Sequence, residues 1–314
     1  MLPTHQHGGQ LKLASEHYQI PLEHWIDLST GINPTCYPLP QVPANIWQRL
    51  PEVNDGLEAA AAAFYGSTQL LPVSGSQEAI QRLPLLREKS RVGIISPAYH
   101  SHHEAWGAAG HEVIDTPREQ LEEILPSLDV LLLVNPTNPT AERYSLDDLR
   151  TWHQLLQQRN GWLVIDEAFM DLTPKDSLIT KVPLSGLIVL RSIGKFFGLA
   201  GIRLGFVWAE AEVLQALAKL QDDWSVSNPA RWAGQLALRD VDWQAEQRQL
   251  IPNKMHELKQ RLENNYGVPV SEAGLFAYVV LGETKAQAEH NRLCKKGILT
   301  RLFREFGALR FGLS

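Results

Sequence analysis

The sequence predicts an α/β protein: a mostly parallel sheet sandwiched by helices, with a smaller α+β domain after it. Three observations carry this reading. Short apolar runs rich in branched residues recur at 91–95, 129–134, 161–166 and 187–190. These runs are continuous rather than alternating, as in strands covered on both faces. Segments of helical period lie between them, so the repeating unit is strand–helix–strand and the strands run parallel.

Composition sets the outer limits. The chain has 314 residues, 44% hydrophobic and 20% charged, which is ordinary globular usage and enough for one large domain plus a smaller one. A net charge of −6 with no basic run argues against a nucleic-acid partner. The two cysteines, Cys36 and Cys294, form no CxxC site and fit a reducing cytosol. Residues 1–7 lack a charged segment followed by an apolar one. No apolar stretch approaches the roughly 20 residues that span a bilayer. A cytoplasmic protein with no membrane partner is expected.

Taken in order, residues 1–40 are rich in Pro, Gly and His and read as an extended arm with one short helix over 11–18. A short strand at Ile26-Asp27-Leu28 runs into a turn built on Gly31 and Asn33-Pro34. Asn33 is a candidate for substrate binding or for capping that turn. An alanine-rich helix over 55–65 stops at Gly66. A strand at 70–73 then meets Ser74-Gly75-Ser76-Gln77, a turn that opens a helix. Backbone N–H groups there, with the Ser76 hydroxyl, make a seat for an anion; Ser76 is equally a candidate cap.

The strand at 91–95 leads to Tyr99, just beyond its carboxyl end, where ligands of open α/β sheets collect. His100, His102 and His103 follow, but no carboxylate or cysteine completes a metal-ligand set, so no metal is expected. A helix running to Ala109 and a strand over 111–115 come next. Asn135-Pro136-Thr137-Asn138-Pro139-Thr140 stops the most apolar strand and leaves amides at its end. A helix over 145–158 is capped by Ser145, with Leu146, Leu149, Trp152, Leu155 and Leu156 on one face. The next strand ends in Asp166, whose burial is costly without a partner; a protonated pyridine nitrogen would serve, as would capping of the following turn.

The run Arg191-Ser192-Ile193-Gly194-Lys195-Phe196-Phe197-Gly198-Leu199-Ala200-Gly201-Ile202-Arg203 follows the strand at 187–190. An amine among small and aromatic residues loses charge more readily, and a neutral lysine can form a Schiff base. Ser192 and Arg203 are a hydroxyl donor and a planar charged fork, groups that hold phosphate. Lysine and phosphate ligands together suggest pyridoxal phosphate; a surface lysine on a strand–loop segment is the plainer alternative. A return strand over 204–209, a helix over 210–220 and the Ser227-Asn228-Pro229 boundary follow. Helices over 230–238 and 243–265, a strand over 276–281, a helix over 285–294 and a strand over 308–312 complete the smaller domain.

On the lysine run, Asp166-Glu167-Ala168-Phe169 and the Asn-Pro-Thr-Asn-Pro-Thr segment, the chain resembles the fold-type I pyridoxal-phosphate enzymes of the aspartate aminotransferase superfamily. Within it the chain is similar to the histidinol-phosphate aminotransferase branch. His7-Gly8-Gly9, Ile26-Asp27-Leu28-Ser29 and Ile32-Asn33-Pro34 bring it nearest to the threonine-phosphate decarboxylase family of cobalamin biosynthesis. The resemblance implies a large domain over 41–221 that binds pyridoxal 5'-phosphate, a small domain over 222–314, and an arm over 1–40 that packs on the small domain and substrate site. It also implies a homodimer acting on a small phosphorylated amino acid. Carried over by position, Lys195 forms the Schiff base and moves protons, Asp166 pairs with the ring nitrogen, and Tyr99 stacks on the ring, with His102 behind Asp166. Gly75, Ser76, Gln77, Ser192 and Arg203 surround the phosphate. Asn138 meets the ring's phenolic oxygen and the substrate, Arg310 clamps the substrate carboxylate, and Thr30, Gly31 and Asn33 line the substrate side.

Several positions depart from the family pattern. Phe169 replaces a tyrosine and removes a hydrogen bond to the phenolic oxygen. Leu50 replaces a tyrosine that reaches the neighbouring subunit's cofactor. Ala141 replaces a glycine, and Gly194 a hydroxyl residue. The chain also stops soon after Arg310, where relatives usually run one more helix. The implied reaction is decarboxylation of O-phospho-L-threonine; the alternatives are an aminotransferase of histidinol phosphate or a related amine, and a non-catalytic ligand sensor that kept the fold.

Overall fold

The computed structural model describes residues 8–314, so His7 of the arm motif lies outside the described residues. By its internal contacts the chain divides into two compact units. The larger comprises Cys36–Asn138 and Arg143–Ala245. The smaller comprises the chain up to Thr35, Pro139–Glu142 and Glu246–Ser314.

The elements follow the chain. First come α1 (Leu11–Tyr18), β1 (Ile26–Asp27), α2 (Ala44–Gln48), α3 (Leu57–Tyr65), β2 (Leu70–Val73) and α4 (Ser76–Arg82). Next are β3 (Arg91–Ser96), α5 (His100–Ala108), β4 (Glu112–Pro117), α6 (Leu121–Ile124), β5 (Val130–Val134), α7 (Leu146–Gln157) and β6 (Trp162–Asp166). Then come β7 (Leu187–Ser192), α8 (Ile193–Phe196), β8 (Gly205–Trp208), α9 (Ala211–Leu220), α10 (Asn228–Arg239) and α11 (Val241–Tyr266). The last are β9 (Val270–Glu272), β10 (Phe276–Val280), α12 (Glu283–Cys294), β11 (Ile298–Leu299), β12 (Arg301–Phe303) and β13 (Ala308–Gly312).

The larger unit is built on a seven-stranded sheet in the order β2-β8-β7-β6-β5-β3-β4. The central pairs are parallel, and β8 runs antiparallel to both β7 and β2. The alternation of side chains across a strand explains the continuous apolar runs. Val130, Leu132, Val164, Ile188 and Leu190 pack on one face with Ile80 of α4, Trp106 of α5 and Leu217 of α9. Leu131, Leu133, Leu163, Ile165, Leu187 and Val189 pack on the other with Leu121 of α6 and Leu149, Trp152 and Leu156 of α7. The sandwich expected from the sequence is present, with helices on both faces. Ser145 caps α7 by accepting from the Asp148 N–H at 3.1 Å. Leu155, expected on the buried face of that helix, is 39% exposed. It comes one residue before Leu156, about 100° round the helix from it, and so falls off the stripe set by Leu149, Trp152 and Leu156.

Residues 222–245 group with the large sheet, so the division falls at 245/246, not at 221/222. The reason is α10, which packs along α3. Its buried Arg231 forms a two-pronged pair with Asp55, both contacts at 2.8 Å, and a contact with Glu58 at 2.7 Å. Burial raises the Asp55 carboxyl, but the hydrogen bonds from Arg231 and its charge hold it below the ordinary 3.8.

The smaller unit holds a four-stranded antiparallel sheet in the order β12-β13-β10-β9. β1 falls within the strand expected at 26–28, while β9, β11 and β12 carry too little pattern to be read from sequence. Residues 8–35 of the arm belong to this unit, and the larger unit begins at Cys36. Ala14 and Trp25 pack with Cys294 and Leu299, and the Gly312 N–H donates to the Leu28 carbonyl at 2.7 Å. Ala141 adopts the left-handed conformation, φ 66°, that the family's glycine takes without cost.

Two outcomes follow. A carboxylate with a lowered value stabilises the fold above its unfolded value and loses that contribution as pH falls through the folded one. Asp55→Asn is therefore expected to cost about 1–3 kcal/mol in urea unfolding at pH 7, with the deficit shrinking below about pH 4. Ala141→Gly relieves a left-handed alanine and is expected to raise stability by up to about 1 kcal/mol in the same assay.

Candidate active site

The carboxyl ends of β3, β5, β6 and β7 lie along one edge of the parallel sheet, where ligands of such sheets bind. Tyr99 follows β3, Asn135 and Asn138 follow β5, Asp166 ends β6, and Ser192 ends β7. The ladder register adds the rest. Ser192 pairs with Gly205, and Gly205 pairs with Val73. This brings the Ser74–Gln77 turn and Arg203 to the same edge.

Asp166 is in step with Val164 and so faces the α4/α5 side of the sheet. It is only 3% exposed. His102 of α5 meets its Oδ2 at 3.0 Å, and its Oδ1 accepts from the Ala168 N–H at 3.0 Å. Of the three clustered histidines, His102 is thus a partner of the buried carboxylate. His100 and His103 stack on each other, and among the described residues no group of His, Cys, Asp and Glu could hold a metal ion. The Tyr99 hydroxyl donates to Gln77 Oε1 at 3.3 Å, which links the ring at the β3 end to the turn before α4.

Ser76 is not the cap of α4. Gly75 holds that position at φ 73°, and a Cβ there would come within 2.7 Å of Arg203 Nη2. The guanidinium therefore lies against the glycine backbone, which any other residue would push away. Arg203 itself is held in the left-handed region at φ 55°, a strained conformation of the kind that collects at ligand sites. Glu78 secures the turn from behind, accepting from the Ser74 N–H at 2.6 Å and from Arg82 Nε at 3.2 Å.

Lys195 sits on the one-turn helix α8 rather than on a loop. A Cβ at Gly194 would meet the Ala200 Cα at 2.9 Å, so α8 packs too closely on the next turn for the family's hydroxyl residue. Phe196 and Phe197 anchor α8 beneath Trp243, with Phe197 stacked on it at 5.6 Å. The Lys195 ammonium lies over the ring of Phe169, 5.6 Å from its centroid. Where relatives carry a tyrosine hydroxyl, this chain therefore offers the lysine an aromatic face.

A second cluster, given no role by the sequence reading, lies just behind. Arg191 is 1% exposed and pairs with Glu167 at 2.6 Å and with Asp171. Burial raises the Glu167 carboxyl, opposed by the charge of Arg191. Burial alone would lower Arg191, but the charges of Asp171 and Glu167 outweigh it and hold it above its ordinary value. The signal in the sequence is a charged residue at an inward position of an otherwise apolar strand.

The smaller unit carries the other predicted residues. Arg310, on β13, is buried, donates to the Ser29 carbonyl at 2.7 Å and lies over the Phe276 ring at 5.1 Å. The Ser29-Thr30-Gly31 turn is thus tied to Arg310. Asn33 Oδ1 accepts from the Thr35 N–H at 3.0 Å, and its Nδ2 donates to Gln247 at 3.0 Å, so its amide braces the turn. Cys294 and His290 lie 3.6 Å apart, but burial pushes the thiol up to about 11 and the imidazole down to about 4. The pair is neutral at pH 7 and is no nucleophile.

The residues of the larger unit fit pyridoxal phosphate. Ser76, Ser192, Arg203 and the first N–H groups of α4 are all donors, which suits a dianionic phosphate, and the glycine cradle leaves room beside the guanidinium. Asp166 retains lone pairs beyond its two partners, as a ring N–H requires.

Residues 49–313 match the aminotransferase class I and II family. A threonine-phosphate decarboxylase of Pseudomonas aeruginosa is 48% identical over 98% of this chain and 92% of its own. One from a Sinorhizobium species is 37% identical over 95% and 89%. Among solved structures, a histidinol-phosphate aminotransferase from Sinorhizobium meliloti in complex with pyridoxal-5'-phosphate superposes with a TM-score of 0.84, at 20% identity, over 97% of this chain and 90% of that one. The last likeness shows the shared fold.

Removing the His102 ring leaves a buried carboxylate short of a partner. His102→Leu is expected to cost about 1.5–3 kcal/mol in thermal or urea unfolding. His102→Gln, which keeps a donor, is expected to cost less.

Proposed function

We propose, for a chain that belongs to the aminotransferase class I and II family, that it removes the carboxyl group of O-phospho-L-threonine with pyridoxal 5'-phosphate as cofactor. The product is (R)-1-aminopropan-2-ol O-phosphate, an intermediate of cobalamin biosynthesis. The observation that carries this reading is 48% identity to a threonine-phosphate decarboxylase along nearly the whole of both chains.

When bound, the cofactor supplies an electron-withdrawing ring that accepts the electron pair left at Cα as the carboxyl group departs. The chain's own residues do the rest. Ser192, Arg203 and the Gly75-Ser76-Gln77 turn hold the cofactor phosphate. Asp166, oriented by His102, would hold a proton at the ring nitrogen, and Tyr99 would stack on the ring. Asn138 donates toward the phenolic oxygen, beside the substrate. The Lys195 amine would anchor the cofactor and hold the proton that Cα receives. Arg310 offers a planar fork to the substrate carboxylate, with Thr30, Gly31 and Asn33 around it. Held by these residues, the substrate carboxyl group would be oriented for departure, and orientation of this kind contributes roughly 7–11 kcal/mol to lowering the barrier. The substrate's own phosphate is a handle whose binding energy is used at the reacting carbon.

The working unit in this reading is a homodimer in the cytoplasm. An exposed run of Trp47, Leu50 and Val53 supports the dimer, and Trp224 is exposed four residues before Asn228, which bonds the Arg49 carbonyl. No helix among the described residues is long and apolar enough to cross a membrane.

The decisive experiment incubates the protein with O-phospho-L-threonine and pyridoxal phosphate, with and without an oxo-acid acceptor, and reads products by mass spectrometry. Loss of CO2 without acceptor is expected; an oxo-acid formed only with acceptor would make the protein an aminotransferase. Lys195→Ala is expected to abolish the cofactor absorbance above about 400 nm. Absorbance retained there would remove the lysine from its role.

A further inference from the structure

We infer that the buried cluster around Arg191 is a positioning device for the cofactor site, fixing Ser192 and Lys195 relative to Asp166. The inference rests on the reading of that site given above. The geometry is a cross-brace. Strands β6 and β7 are parallel neighbours, and their ladder ends with the Glu167 N–H donating to the Leu190 carbonyl at 2.9 Å. Past that point the two backbones diverge, one toward the turn at Met170–Leu172 and the other into α8.

Side chains take over where the ladder stops. Arg191 Nη1 donates to Glu167 Oε2 at 2.6 Å and to Ser177 Oγ at 3.3 Å, while Nη2 holds Asp171. Ser177 Oγ donates to Glu167 Oε2 at 2.6 Å, and the Leu178 N–H to Glu167 Oε1 at 3.2 Å. The guanidinium lies 4.8 Å from the centre of the Tyr65 ring. One planar fork thus joins the end of β7 to three points on the segment that leaves β6.

Neighbouring residues alternate across the sheet. Asp166 and Ser192 face the α4/α5 side, and Arg191 faces the other side in step with Val189. The two members at the strand ends are therefore each one peptide away from a site residue, Glu167 from Asp166 and Arg191 from Ser192, and Asp171 and Ser177 hold that pair in place. A shift in the brace moves the site directly. Stability alone does not account for such a cluster, because buried ion triads are often no more stabilising than apolar residues of the same volume.

The test compares Arg191→Lys, Asp171→Asn and Ser177→Ala with Arg231→Gln, which breaks a buried pair away from the site. For each, the dissociation constant of pyridoxal phosphate, the visible circular dichroism of the bound cofactor, kcat, KM and Tm are measured. The three brace variants are expected to raise the cofactor dissociation constant about tenfold, to diminish the visible dichroism, and to lower kcat by up to about a hundredfold with KM little changed. Arg231→Gln is expected to lower Tm alone. If Arg191→Lys does not fold, Asp171→Asn and Ser177→Ala decide. Brace variants with lowered Tm but parental cofactor affinity and dichroism would overturn the inference. A parent chain that does not bind pyridoxal phosphate would overturn the reading of the site itself.

Discussion

A charge delivered to the end of a buried strand must be met by another charge or by several donors, and this constraint shapes the centre of the larger unit. β6 ends in Asp166 with Glu167 directly after it, and Arg191 is the last residue but one of β7. All three are buried. Their partners come from separate parts of the chain: His102 from α5, Asp171 and Ser177 from the segment after β6, and the Tyr65 ring from α3. The path of the chain between Asp166 and Leu187 is largely the path that brings those partners in. An apolar edge could have been closed in many ways; one carrying two carboxylates and a guanidinium has few.

The architecture was legible because the strands of this sheet are covered on both faces. Their runs of Val, Ile and Leu are unbroken, and the helices between them repeat every three or four residues. Legibility failed where pairing is short or decided from a distance. β11 is two residues long and pairs with β1 where Trp25 and Ala14 pack near Leu299 and Cys294. The place of residues 222–245 was set by Arg231 reaching Asp55, a contact across 176 positions that no local pattern announces.

At the site, the residue types that bear chemistry stood out, while the groups that hold them did not. Lys195, Asp166 and Arg203 declare themselves by their neighbours in sequence. Glu78, Arg191 and Asp171 act through tertiary contacts, and only their burial reveals them. The departures from the family pattern also acquire reasons. Gly194 is required by the closeness of the Ala200 backbone, and Phe169 lies beneath the lysine as an aromatic face. Ala141 has no such compensation; it bears its left-handed backbone with nothing in the structure that explains it.

The interleaving of the two units has a consequence for how the protein is made. Every part of the larger unit has emerged from the ribosome once Ala245 is free, apart from the four residues Pro139–Glu142 that belong elsewhere. The smaller unit needs both extremes of the chain. Its arm, made first, bonds through Leu28 to Gly312 and through Trp25 to the Cys294 and Leu299 region. At about 5–20 residues per second the arm therefore waits several seconds beyond completion of the large sheet before its partners exist. Throughout that interval the nascent chain carries a finished sheet and an arm whose Ala14 and Trp25 have yet to meet Cys294 and Leu299.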